Sequence, residues 1–192
     1  MTKARWPFVL SIAVIGVALG AGAVLGVSQV NRQTSTDAFC TSCHSMSAMA
    51  HDPSYAMSVH QNNPQGVKVR CVDCHLPASN LVTETYMHAT SGFRDILASW
   101  THDYSNPATW EKRRVELASE VRLDMRRNDS IACRSCHTAA SVEPASESGQ
   151  AAHALMRTGA VTCIDCHFNL VHAPVAPTMS FIRSSGLGGA TK

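Results

Sequence analysis

The chain has 192 residues, a formal net charge of +2 and an apolar fraction of 45%. This near-neutral balance, with no large cluster of lysine or arginine, argues against a nucleic-acid groove. Three tryptophans and five phenylalanines supply too few large apolar side chains for more than a modest core in a domain of this length.

At the N-terminus Met1–Arg5 is basic, and Trp6–Val30 is an uncharged, largely apolar run. About 20 such residues cross a bilayer as a helix, so the run is long enough to span. Lys3 and Arg5 place residues 1–5 in the cytoplasm and residues 31–192 outside the membrane. The competing reading is a cleaved signal peptide, with Ala21-Gly22-Ala23 as the cleavage site. The run stays apolar beyond that stretch, which favours a permanent anchor over residues 6–30. Gly16/Gly20 and Gly22/Gly26 form small-residue pairs through which anchor helices could pack into a homo-oligomer.

All eight cysteines fall in four copies of one pattern: Cys40-Thr41-Ser42-Cys43-His44, Cys71-Val72-Asp73-Cys74-His75, Cys133-Arg134-Ser135-Cys136-His137 and Cys163-Ile164-Asp165-Cys166-His167. None is left over for a disulfide. Within the first half the copies are 31 residues apart, and within the second 30. The leading copy of each half ends Ser-Cys-His, and the following one reads Val-x-Cys-x-Asp-Cys-His. This is a duplicated unit carrying two sites, over residues 36–78 and 128–172.

Residues 79–127 join the halves and carry two predicted helices. Asn80 caps the first, whose later part has Phe93, Ile96, Leu97 and Trp100 at helical spacing. The second begins at Asn106-Pro107 and runs to about Arg127, with Leu117, Val121 and Met125 facing inward and Glu111, Lys112, Arg113, Arg114, Glu116 and Glu120 on a solvated face. Ser141 to Gln150 reads as a loop, and the tail from Ala173, rich in Pro, Gly and Ser, as irregular. No strands of consequence are expected. The fold class is mainly α with much loop, a single transmembrane helix followed by a compact domain of two halves.

Two thiols three positions apart can each form a thioether to one haem vinyl group, and a histidine directly after them reaches the iron. Zinc also binds Cys-x-x-Cys pairs, but four copies, each followed at once by histidine, favour four covalent haems c. Such attachment occurs outside the bacterial inner membrane, in agreement with the anchor's orientation. Irons that only pass electrons need a second axial ligand. Outside the motifs stand His51, His60, His88, His102, His153 and His172. His60 follows His44 by 16 residues and His153 follows His137 by 16, and the repeat marks both as distal ligands, with His172 a weaker choice on spacing alone. Met46, two residues after His44, is a further candidate at the first iron, where a thioether would raise the potential.

These residues resemble the NapC/NirT group of tetrahaem membrane-anchored quinol dehydrogenases, which includes the small subunit of cytochrome c nitrite reductase. The likeness covers the anchor, Thr36-Asp37-Ala38-Phe39-Cys40, all four motifs and Asn128-Asp129-Ser130. It implies bis-histidine ligation of haems 2, 3 and 4 by His75, His137 and His167 with His172, His153 and His60 respectively. At haem 1 it implies Met46 or His44. It also implies a quinol site beside haem 1, at positions matching His88 and Asp95, where the family has lysine and aspartate. A base is needed there, because a quinol gives up two protons as well as two electrons. The resemblance therefore implies oxidation of menaquinol or ubiquinol at haem 1 and electron delivery to a periplasmic terminal reductase or soluble cytochrome. The alternative is a pure periplasmic electron carrier without a quinol site, and a terminal reductase of nitrite or hydroxylamine is disfavoured, since the catalytic subunit's lysine-type haem motif is absent.

Overall fold

A computed structural model describes residues 5–43, 46, 51–104 and 106–185 of the chain. Among them the secondary structure is helical, with no strands. Helix α1, Trp6–Thr34, is 29 residues long, or about 43 Å at 1.5 Å per residue. Pro7 lies in its first turn, where a missing N–H breaks no helical bond. Every residue from Trp6 to Val27 is exposed. A helix apolar on all sides needs an apolar solvent, and α1 is long and apolar enough to cross a membrane. The helix continues past the apolar run through Asn31, Arg32, Gln33 and Thr34, and this polar last turn is where it meets the rest of the protein.

In chain order there follow α2 (Asp37–Cys40), α3 (Pro53–Met57), α4 (Cys71–His75), α5 (Leu81–Thr101), α6 (Pro107–Arg127), α7 (Ile131–Arg134), α8 (Glu147–Arg157), α9 (Cys163–Cys166) and α10 (Met179–Ser184). The two long helices start where the capping residues place them. The Asn80 side chain accepts from the Thr83 N–H at 3.0 Å, and that of Asn106 from the Ala108 N–H at 2.9 Å. Along α6 the fully buried residues are Ser119 and Arg122, while Leu117, Val121 and Met125 are half-buried.

Two predicted irregular segments contain helices. The expected loop Ser141–Gln150 gives way to α8 at Glu147, because the Ser146 side chain caps it by accepting from the Gly149 N–H at 3.1 Å. The tail from Ala173 contains α10, capped by Thr178 in the same way, and its Phe181 is 1% exposed. The buried apolar side chains are Val72, Met156, Ile164, Val175 and Phe181, so side chains alone build only the modest core that composition predicts.

Part of that core, with Ile164 and Phe181, lies where α9 and α10 pack on α6. Its centre is a buried cation. Arg122 donates to Asn169 Oδ1 at 2.7 Å and to the Val175 carbonyl at 2.8 Å, with its guanidinium 5.0 Å from the Phe168 ring centre and 6.0 Å from that of Phe181. Carbonyl oxygens and aromatic faces thus stand in for a carboxylate partner.

A second buried polar centre joins the third and fourth motifs. Asp129 and Ser130 both adopt left-handed backbone (φ 55 and φ 51), and Ser130 is 0% exposed. Its Oγ accepts from Thr162 Oγ1 at 2.8 Å and from the Ile164 N–H at 3.2 Å. Ser130→Ala leaves both donors unmatched in the interior, a cost of about 1–3 kcal/mol for each. Denaturant midpoints of the holoprotein should fall accordingly, with unchanged covalent attachment.

Candidate functional site

The second and fourth cysteine motifs occupy short helical turns, while α2 ends at Cys40 and α7 contains Cys133. In α4 and α9 the two cysteines are three residues apart on one helical face. The aspartate between them has a structural reason. Asp73 Oδ2 accepts from the Arg70 N–H and Asp165 Oδ2 from the Thr162 N–H, each at 2.9 Å, closing the turn from its third position. None of the eight cysteines is paired in a disulfide. The first two motifs are tied together by Asp37, whose Oδ1 accepts from the Cys71 N–H at 2.9 Å.

The histidines come together in pairs. His75 faces His172 with ring centres 6.2 Å apart, His60 faces His137 at 6.4 Å, and His153 faces His167 at 6.0 Å. A metal sits about 2 Å from an imidazole nitrogen, so two imidazoles on opposite sides of one ion have ring centres about 6 Å apart. Each pair matches one motif histidine with one histidine from outside the motifs. The Nδ1 atoms of His60, His153 and His172 are buried without a hydrogen-bond partner. Among the described residues no three His, Cys, Asp or Glu side chains converge as a metal cluster. Opposed pairs beside paired thiols fit the axial ligands and attachment points of a haem better than the four-ligand tetrahedron of structural zinc.

The pairing differs from the resemblance's expectation in one respect: His60 lies opposite His137 and His153 opposite His167, rather than the reverse. The chain path explains it. α8 carries His153 and turns back through Gly159 (φ 78) directly into α9, so His153 meets the motif that follows it. His60, held by the Val69 N–H donating to its carbonyl at 3.0 Å, belongs to the half whose α4 packs on α7, and so reaches across to the third motif.

His172 is held from two sides by residues the spacing did not single out. Tyr55 stacks on it, with ring centres 6.1 Å apart and 11° between planes, and Asp52 Oδ2 accepts from the neighbouring Ala173 N–H at 2.9 Å. The one sequence signal was Asp52-Pro53, a cap and first-turn proline that start α3. At the first motif, His44 lies outside the described residues, and the Met46 N–H donates to the Cys43 carbonyl at 2.9 Å while its side chain is exposed.

His88 and Asp95 lie on α5, seven residues or about two turns apart, and so on one side of it. His88 Nε2 is 3.2 Å from Ser35 Oγ and its Nδ1 is 2.9 Å from the Glu84 carbonyl. Beside them Asn31 Nδ2 donates to Thr85 Oγ1 at 2.9 Å. The end of the apolar helix thus docks on the helix that carries His88. Desolvation pushes the Asp95 carboxyl above the ordinary carboxylate range, with Arg94 pulling the other way.

The sequence pattern of the NapC/NirT cytochrome c family, N-terminal region, matches residues 2–177. The chain belongs to the NapC/NirT cytochrome c family. A probable tetraheme c-type cytochrome of Nitrosomonas europaea is 38% identical over 171 residues, covering 88% of this chain and 67% of that protein. NapC of Haemophilus influenzae is 30% identical, covering 94% of this chain and 89% of that protein, and the tetraheme c-type cytochrome CymA of Shewanella oneidensis is 31% identical, covering 85% and 90%. Against TorY of Escherichia coli, at 35% identity, the chain spans only 45% of the relative's length. No solved structure matches. As a NapC/NirT cytochrome the chain is an electron-transport protein with one helix suited to anchor it in a membrane.

Proposed function

We propose that this NapC/NirT cytochrome oxidises membrane quinol and passes the electrons through four covalently bound haems c to a periplasmic reductase or soluble cytochrome. Residues 1–5 are cytoplasmic, residues 6–30 span the inner membrane once, and residues 31–192 form the periplasmic tetrahaem domain. The cysteines of each motif hold one haem. His75 with His172, His137 with His60, and His167 with His153 are the histidines that would hold the irons of haems 2, 3 and 4, and His44 or Met46 would hold that of haem 1.

One observation carries the quinol reading: at the end of the membrane helix His88 Nε2 lies 3.2 Å from Ser35 Oγ, with Asp95 two turns further along the same side of the helix that bears His88. Bound haem supplies one-electron redox chemistry and takes up no protons. Two protons must therefore go to protein groups as quinol is oxidised. His88 offers an imidazole held at both nitrogens, and Asp95 a carboxyl whose raised pKa makes its anion the better base.

Holoprotein in liposomes should be mixed with a reduced menaquinone or ubiquinone analogue under anaerobic conditions. Rapid appearance of the reduced haem spectrum is the expected result. A protein that dithionite reduces and quinol does not would be a pure carrier fed by another cytochrome.

A further inference from the structure

We propose that Ser35, just past the C-terminal end of the anchor helix, is a positioning residue that prepares His88 to accept the quinol proton; this rests on the reading of His88 as the base. The hydrogen-bond directions are fixed by chemistry. The Glu84 carbonyl can only accept, so His88 Nδ1, 2.9 Å away, carries a hydrogen. In the neutral ring Nε2 is then the lone-pair nitrogen, and it faces Ser35 Oγ at 3.2 Å. The same Oγ is 2.7 Å from the Asn31 carbonyl, which also only accepts.

One hydroxyl hydrogen therefore has two claimants. Directed at Nε2, it holds the neutral ring in place. Turned to the Asn31 carbonyl, it leaves the Nε2 lone pair without a donor, so that a quinol hydroxyl entering beside Ser35 Oγ can give its proton there. The O–H bond of the quinol breaks, an Nε2–H bond forms, and the new N–H donates to the oxygen that Ser35 already presents. The released electrons go to the haem acceptor named above. Rotation about one side-chain bond thus matches both protonation states with no movement of the imidazole.

The surroundings make this arrangement rigid and dry. Ser35 is 7% exposed and Asn31 3%. Asn31 is held by its bond to Thr85 Oγ1, whose hydroxyl donates to the Leu81 carbonyl at 2.7 Å. The charged side chains on the elements around His88 are Glu84, Arg94 and Asp95 on α5, Arg32 on α1 and Asp37 on α2; none of these side chains bonds to the His88 ring nitrogens, which meet the Ser35 hydroxyl and the Glu84 backbone carbonyl. The anchor is thus part of the proton site as well as its tether.

The test is quinol-driven haem reduction by the full-length holoprotein in liposomes, with Ser35→Ala, Ser35→Thr, His88→Gln and the Ser35→Ala/His88→Gln double variant. Expected are a loss of about tenfold in kcat for Ser35→Ala, little change in KM, a larger solvent deuterium isotope effect, recovery with Ser35→Thr, and no further loss when Ser35→Ala is added to His88→Gln. Haem content and dithionite reduction report folding, and Ser35→Gly repeats the test should the alanine variant lose haem. Wild-type kcat in Ser35→Ala beside a slow His88→Gln would overturn the role of Ser35 and leave the quinol reading intact. The same loss in both backgrounds would mark Ser35 as structural only. A His88→Gln protein at wild-type rate would remove the base itself, and this inference with it.

Discussion

Replacing His88 by Gln or Asp95 by Asn should slow quinol oxidation by about 10²–10⁴-fold, the range for loss of a positioned acid or base, while all four haems stay attached and dithionite-reducible. A quinol that loses electrons without losing protons becomes a strongly acidic cation, so its oxidation needs a base in reach at that moment. Asp95 has the appropriate bias, since its surroundings push its carboxyl above the usual range. The rate should rise with pH as this carboxyl deprotonates, and Asp95→Asn should lose that limb of the profile. The stability consequence has a definite sign. A carboxyl raised in the folded state contributes stability below its unfolded pKa and loses it as pH rises through the folded one. Asp95→Asn should therefore melt no earlier than the wild type at neutral pH, so a slow variant cannot be explained by unfolding. Stopped-flow reduction across pH, alongside melting curves, checks both parts.

His60→Ala and His153→Ala should each turn one low-spin ferric haem of four into a high-spin one. The two substitutions should act on different haems, and the ring pairs say which. His60 faces His137 across 6.4 Å and His153 faces His167 across 6.0 Å. In a Cys133→Ser/Cys136→Ser background, which lacks the third haem, His60→Ala should add no high-spin signal, whereas His153→Ala should still add one. Electron paramagnetic resonance of the ferric proteins reads this directly. The opposite pattern would restore the pairing that family resemblance implies. A lost imidazole also removes a strong-field ligand, so the affected haem should shift in potential and bind small exogenous ligands such as cyanide or imidazole.

The sequence made the motifs legible because thioether chemistry fixes residue type and spacing together. The anchor was legible because about 20 consecutive apolar residues have few other uses. The equal offsets of His60 and His153 marked both as residues brought to motif histidines, yet they meet different kinds of partner. Offset is local, whereas the partner depends on the contact of α4 with α7, which no spacing encodes. The residues that hold the site were the least legible. Ser35, Asn31 and Thr85 are ordinary polar residues whose importance arises when α1 docks on α5, and Tyr55 reaches His172 across more than a hundred residues of chain. Arg122 carried no mark in the sequence, and its place shows only where the aromatic rings of Phe168 and Phe181 close over it from the segment after the last motif. Ser130 belonged to a recognised tripeptide, and its reason became visible only with the left-handed turn that buries its hydroxyl between two motifs.

The most direct measurement is the intact mass of the purified protein together with its pyridine haemochrome spectrum. Four covalently attached haems per chain, with the axial-pair variants retaining all of them, is the predicted result. A chain of unmodified mass that binds stoichiometric zinc and shows no porphyrin absorbance would contradict the account at its base.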